Sequence, residues 1–180
     1  MQDRRTLANI ALIGFMGTGK TTVGRMLADA MRFEFLDTDD LIQQRTGRLI
    51  TDIFAQHGEP AFRALERQVV DELAGRTQTV ISTGGGLPAE PGNLERLKKY
   101  ALVVCLWAAP EKIWERVRNQ SHRPLLNHPD PLARIRELLA AREPAYKAAD
   151  VLVNTDLRNV REVTQQIALQ YRLANRSRKR

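Results

Sequence analysis

Residues Gly14-Phe15-Met16-Gly17-Thr18-Gly19-Lys20-Thr21 fit the pattern G-x-x-x-x-G-K-[ST]. Those residue types at that spacing serve one kind of chemistry. Glycines let successive backbone N–H groups turn inward on an anion, and a following helix adds the positive end of its dipole. The expected ligand is the phosphate chain of a nucleotide, held by Gly17, Thr18, Gly19, Lys20, Thr21 and Thr22. Lys20 would reach the β- and γ-phosphates, and the Thr21 hydroxyl would ligate Mg²⁺. The flanking sequence is right for the motif, since an apolar run precedes the loop and Thr22 to Met31 reads as a helix.

A second group of candidates is acidic. Asp37 ends the next apolar run, where a carboxylate beside the glycine loop holds a water of the same Mg²⁺. No Asp closes the third apolar run. Ile81-Ser82-Thr83-Gly84 offers hydroxyls instead, so Ser82 is a further candidate for a contact through water. Asp39, two residues after Asp37, suits the group that a phosphoryl-transfer enzyme needs to position an acceptor hydroxyl and take its proton. Both aspartates also admit a plainer reading, Asp37 as an acid at a helix N-terminus and Asp39 as a helix cap.

These residues need a frame. Ala8 to Ile13, Phe33 to Leu36, Thr79 to Ile81, Ala101 to Trp107 and Val151 to Val153 are short apolar runs, several of them continuous, as in strands covered on both faces. Helical patterns near 20–31, 40–46, 51–56, 60–74, 93–99, 111–119, 131–147 and 159–173 alternate with them. Strand and helix in alternation imply a parallel sheet with right-handed crossovers. Ligands on such a sheet lie at the carboxyl ends of the strands. The glycine loop, Asp37 and Asp39, and Gly84 to Gly86 all fall at such ends. The whole chain, 1–180, reads as one domain. It has a substrate-binding helical insertion at about 39–76, a proline-rich lid at about 119–131 and a basic tail at about 174–180.

Composition narrows the remaining possibilities. Cys105 is the only cysteine, so an intrachain disulfide is excluded. Its place in the run Leu102 to Leu106 makes it a buried small hydrophobe. No apolar stretch approaches the ~20 residues of a spanning helix. The net charge is +7, but residues 172–180 carry +5 and residues 1–5 carry +1, leaving the body at +1. The basicity is terminal, and neither nucleic acid nor membrane is expected as a partner. A cytoplasmic monomer is the expectation.

Several segments together resemble the shikimate kinase family. They are Gly-Phe-Met-Gly-Thr-Gly-Lys-Thr-Thr-Val-Gly (14–24), Asp-Thr-Asp (37–39), Ile-Phe-Ala (53–55), Gly-Glu-Pro-Ala-Phe-Arg-Ala-Leu-Glu (58–66), Gly-Gly-Gly (84–86), Arg-Pro-Leu-Leu (123–126) and Arg-Glu-Pro-Ala-Tyr (142–146). The resemblance covers about residues 8–172. It implies a nucleoside-monophosphate-kinase-like fold, with a five-stranded parallel sheet of order 2-3-1-4-5, flanking helices and a lid. It also implies ATP as co-substrate with Mg²⁺, and shikimate as acceptor. Asp39 would bind the acceptor's hydroxyls and act as base. Arg63 and Arg142 would hold its carboxylate, and Gly84, Gly85 and Gly86 would present backbone N–H groups to it. Arg123, in the lid, would reach the ATP phosphates and take part in catalysis, and Arg158 would contact the nucleotide. The sequence departs from the family at Leu87-Pro88, where a proline follows the triple glycine.

The chemistry of the residues fits an anionic acceptor. Arg63, Arg123 and Arg142 exceed what ATP phosphates need, and a guanidinium grips a carboxylate bidentately. Taken singly, Arg63 could lie on a solvated helix face and Arg142 on the surface. Phe54 and Phe62 read as core, or as walls of the acceptor pocket. Two other classes remain open from the sequence. A gluconate kinase shares the glycine loop and the need for a carboxylate site. A GTPase-like switch or assembly ATPase shares the loop alone, but a guanine-reading Asn-Lys-x-Asp is absent.

Overall fold

The computed structural model describes residues 7–119 and 128–176. Five strands form one parallel sheet in the order β2-β3-β1-β4-β5. They are β1 (Asn9–Ile13), β2 (Glu34–Asp37), β3 (Thr79–Ser82), β4 (Ala101–Trp107) and β5 (Val151–Asn154). Register pairs Ala11 with Ile81 on one side and with Val103 on the other. Burial explains the order. β1 and β3 are wholly buried and β4 nearly so, whereas β2 and β5 have exposed positions, as edge strands must. Both faces of the central strands are apolar, and each fully buried Leu or Ile contributes about 1.5–3 kcal/mol.

Helices cover both faces. On one lie α1 (Lys20–Met31) and α7 (Val160–Arg176), packed through Val23, Leu27, Val163 and Ile167 onto Ile10, Leu12 and Val104. Against the other lie α3 (Ile50–Leu73), α4 (Asn93–Tyr100), α5 (Pro110–Val117) and α6 (Pro131–Lys147). The short α2 (Thr38–Thr46) leads from β2 into α3 and ends at Gly47, a left-handed cap. The two helical stretches expected at 51–56 and 60–74 form one element, broken at Gly58 (φ 77, ψ 173), with Pro60 just beyond the break. That is where a proline without an N–H is tolerated.

Two local expectations are corrected, for Phe54 and for residues 174–176. The departure from the family pattern at Leu87-Pro88 takes a regular conformation. Leu87–Ala89 forms a 3₁₀ turn in which proline takes an early position and Leu87 is buried. Phe54 is not core: it is 38 % exposed and leans on the buried Phe62, ring centroids 4.8 Å apart. Residues 174–176, expected in the basic tail, belong to α7, which also tethers the chain start through Tyr171 Oη donating to the Leu7 carbonyl at 2.8 Å. Among the described residues no helix is long and apolar enough to cross a membrane. Cys105 is fully buried, and burial pushes its thiol up to about 12.

Candidate active site

The glycine loop joins β1 to α1. Gly14 has φ +134, and a Cβ there would strike the Leu106 carbonyl, so only glycine fits. Thr18 Oγ1 donates to the Phe15 carbonyl at 2.7 Å and fixes the turn. Lys20 folds over the loop, its Nζ donating to the carbonyls of Gly14 (2.8 Å) and Phe15 (2.9 Å). Helix α1 begins at Lys20 itself, so its free N–H groups and dipole face the loop. Thr21 and Thr22 are exposed in its first turn.

A cavity of about 440 Å³ opens above these residues at the carboxyl end of the sheet. Gly17, Gly19, Lys20, Thr21 and Thr22 line one side. Asp37, Asp39, Ser82, Thr83, Gly84 and Gly85 line the other, and Arg116 closes the rim. Asp37 is the last residue of β2 and the N-cap of α2, its Oδ1 accepting from the Asp39 N–H at 3.0 Å. The capping role read for Asp39 thus belongs to Asp37, and Asp39 sits one step into the helix with its side chain toward the cavity. Asp39 Oδ1 is buried without a hydrogen-bond partner. Burial first, then the neighbouring Asp37, lifts Asp39 to about 6 against the pull of Lys20.

The triple glycine is the seam between this cavity and a group of charged side chains. A Cβ on Gly84 would come within 2.8 Å of Asp39 Oδ1 and 3.2 Å of Glu66 Oε1. One on Gly85 would lie 3.5 Å from Arg142 Nη1, and one on Gly86 would lie 2.8 Å from both terminal nitrogens of Arg63. Asp39, Glu66, Arg63 and Arg142 therefore converge on three consecutive residues that have no side chains. The Gly84 N–H is held by Thr38 Oγ1 at 3.1 Å. Arg142 also stands over the Phe15 ring, 5.5 Å from its centroid. Neither Arg63 nor Arg142 lines the cavity itself.

Glu66 is a residue that sequence reasoning missed. It is fully buried, donates nothing, and accepts from Arg63 Nη1 at 2.7 Å through Oε2, while Oε1 has no partner. Burial lifts it to about 7 despite Arg63. A signal was present, because Glu66 falls on the apolar stripe Phe62, Val69, Val70 and Leu73 of α3. Arg142 likewise lies on the stripe of Ile135, Leu139 and Tyr146 in α6, which argues against the plain surface reading.

A second cavity of about 320 Å³ shares Gly17, Thr18, Gly19 and Thr22 with the loop, and adds Arg116, Thr155, Arg158, Asn159 and Val160. Arg158 is there, its Nη1 donating to the Asn154 carbonyl at 3.3 Å. Arg116, also missed, lines both cavities. It donates to the carbonyls of Gly17 (3.2 Å) and Thr155 (2.7 Å), joining the loop to the segment after β5. Asp156 anchors that segment by accepting from the Ala109 N–H. Arg123 and most of the segment expected as a lid lie outside the described residues.

Thr21, from one side of the cavity, and Asp37 and Ser82, from the other, offer hard oxygen donors, which fits Mg²⁺. Among the described residues no group of three or more His, Cys, Asp or Glu forms a metal cage. Protein ligands would thus be few, leaving room for phosphate oxygens and water.

A lysine-bearing glycine loop between β1 and α1 of a parallel 2-3-1-4-5 sheet defines a P-loop kinase. The comparisons narrow the class. Residues 16–172 match the family described as Shikimate kinase. A shikimate kinase of Thermodesulfovibrio yellowstonii is 41 % identical over 170 residues, covering 94 % of this chain and 98 % of its own. One from Thermus thermophilus is 47 % identical over 159 residues, 88 % of this chain and 86 % of its own. The solved structure of shikimate kinase from Acinetobacter baumannii in complex with shikimate superposes with a TM-score of 0.87 at 41 % identity, covering 95 % of this chain and 96 % of that one. The chain belongs to the shikimate kinase family.

Proposed function

We propose that this chain transfers the γ-phosphoryl group of ATP to the 3-hydroxyl of shikimate, giving shikimate 3-phosphate and ADP, a step of chorismate and aromatic amino-acid biosynthesis. The observation that carries this reading is the convergence of Asp39, Arg63 and Arg142 on Gly84–Gly86, beside the cavity that Lys20 also lines. An acceptor there meets two guanidinium groups for a carboxylate and a carboxylate for a hydroxyl.

Each residue then has a task. Lys20 stabilises charge on the transferring group, and the N–H groups of the loop cradle the phosphates. Asp39, near 6, is ionised at neutral pH yet more basic than an ordinary aspartate, and takes the acceptor's proton. Thr21, with Asp37 through water, would hold Mg²⁺, which would supply positive charge to offset that of the phosphates. Arg63 and Arg142 grip the carboxylate, and the backbone of Gly84–Gly86 lets the acceptor approach closely. Arg158, with Arg116, contacts the nucleotide from the second cavity.

The test is ATP consumption by the protein with Mg²⁺ against shikimate, quinate, gluconate and nucleoside monophosphates. Shikimate should give the highest kcat/KM by orders of magnitude. Gluconate turned over as well as shikimate would overturn the assignment.

A further inference from the structure

Arg63 meets three carboxylates at once. Its Nη1 donates to Glu66 Oε2 at 2.7 Å. Its Nε and Nη2 both donate to Glu59 Oε1, at 3.1 and 2.6 Å. Glu90 Oε1 lies 3.3 Å from Nε. The three acids are not equivalent. The Glu66 side chain is 1 % exposed, whereas that of Glu59 is 61 % exposed. Glu66 is locked between Arg63 and Gly84. Glu59 stands at the break in α3, between Gly58 and Pro60, largely in solvent, with its carboxylate bonded to the guanidinium.

The edge formed by Nε and Nη2 is one that a carboxylate takes bidentately. In the substrate-free protein Glu59 covers that edge. We propose that Glu59 is a specificity-setting residue, a carboxylate of the chain itself that occupies the edge of Arg63 which the acceptor's carboxylate takes. This rests on the reading of Arg63 as the group that receives the acceptor's carboxylate. Binding is then an exchange of one carboxylate for another. The guanidinium never stands in a largely buried place without a counter-charge, which would be costly. Glu66, bonded to Nη1 away from that edge, keeps its orientation while Glu59 leaves. An uncharged polyol cannot displace Glu59 and meets an occupied edge, so the device selects against acceptors lacking an acid group.

The exchange has two readouts. Calorimetric titration of shikimate into the complete protein should show about threefold tighter binding for Glu59→Gln than for wild type, the size expected when an exposed competing pair is removed. Glu59→Asp, whose shorter carboxylate reaches the guanidinium less well, should shift the same way. The second readout needs no variant to bind well. In wild type with ¹³C-labelled glutamate, the Glu59 carboxyl signal, assigned by its loss in Glu59→Gln, should move when shikimate saturates the protein. Unchanged or weaker shikimate binding by Glu59→Gln, which is the result if Glu59 merely props Arg63, overturns the proposal. So does a Glu59 signal that stays put. Failure of the shikimate reading is seen separately, as wild type that neither binds nor phosphorylates shikimate. The same titrations are then run with the carboxylate that the substrate panel identifies.

Discussion

The hydroxyl of Tyr146 donates to the carbonyl oxygen of Gly85 across 2.8 Å. Burial pushes that hydroxyl up to about 12, so it remains a donor throughout the physiological range. The bond ties the glycine run after β3 to α6, one turn beyond Arg142. It thereby sets the distance between the backbone that faces the acceptor and a guanidinium proposed to hold its carboxylate. Tyr146→Phe keeps the ring and removes the donor to a part-buried carbonyl, a loss of about 0.5–1.5 kcal/mol. Thermal unfolding should record that loss. The KM for shikimate should rise several-fold while the KM for ATP stays within twofold.

Arg116 should matter to the nucleotide and not to the acceptor. It bonds the carbonyls of both Gly17 and Thr155 and lines the second cavity beside Arg158. Arg116→Ala should raise the KM for ATP by about tenfold or more, since a charged hydrogen-bonding group contributes about 1.5–3 kcal/mol. An unchanged KM for ATP, or an equal rise for shikimate, would show that Arg116 has no specific tie to the nucleotide site.

The paired acids give stability a pH dependence of known sign. Glu66 goes from 4.5 to about 7 on folding and Asp39 from 3.8 to about 6, mainly because burial penalises their charges. The folded protein therefore holds more protons than the unfolded chain between those values. Their contribution is complete below about pH 4 and is lost as pH rises through about 7. In metal-free buffer, urea unfolding should show wild type losing more stability from pH 5 to pH 8 than Glu66→Gln does. The difference should be up to roughly 3 kcal/mol. Parallel pH curves for the two proteins would contradict it.

Asp39→Asn should lower kcat by about 10²–10⁴-fold, the usual range for a general base, with a small effect on ATP binding. Lys20→Ala should abolish turnover and leave the circular dichroism spectrum intact. Asp39→Asn with weakened ATP binding and normal kcat would move Asp39 to the nucleotide site.

Much of this arrangement was legible before the structure, and unevenly so. The glycine loop and the five strands follow from local pattern, because apolar runs this short, alternating with helical patterns, suit buried parallel strands better than helices. Strand order came from the family resemblance, since no local pattern encodes which strands become neighbours. What escaped was burial of charge. Glu66 sits among Arg63 and Arg67 in sequence and looks like part of a solvated face. Only the packing of α3 against Gly84 removes it from water. Arg116 looks like one more charge on an amphipathic α5, and its partners Gly17 and Thr155 are far away in the chain. The core reading of Phe54 fails for the opposite reason, an apolar residue left 38 % exposed one turn before the break at Gly58.

The most direct measurement compares shikimate with its methyl ester as acceptor, for wild type, Arg63→Lys and Arg142→Lys. The ester removes the charge from the ligand, and lysine keeps charge but loses the planar fork. Wild type should phosphorylate the acid with a far higher kcat/KM than the ester. Each variant should show a raised KM for shikimate, a nearly unchanged KM for ATP, and much weaker discrimination between acid and ester. Wild type that uses the ester as well as the acid would mean that neither arginine reads a carboxylate, and would contradict the proposed site at its centre.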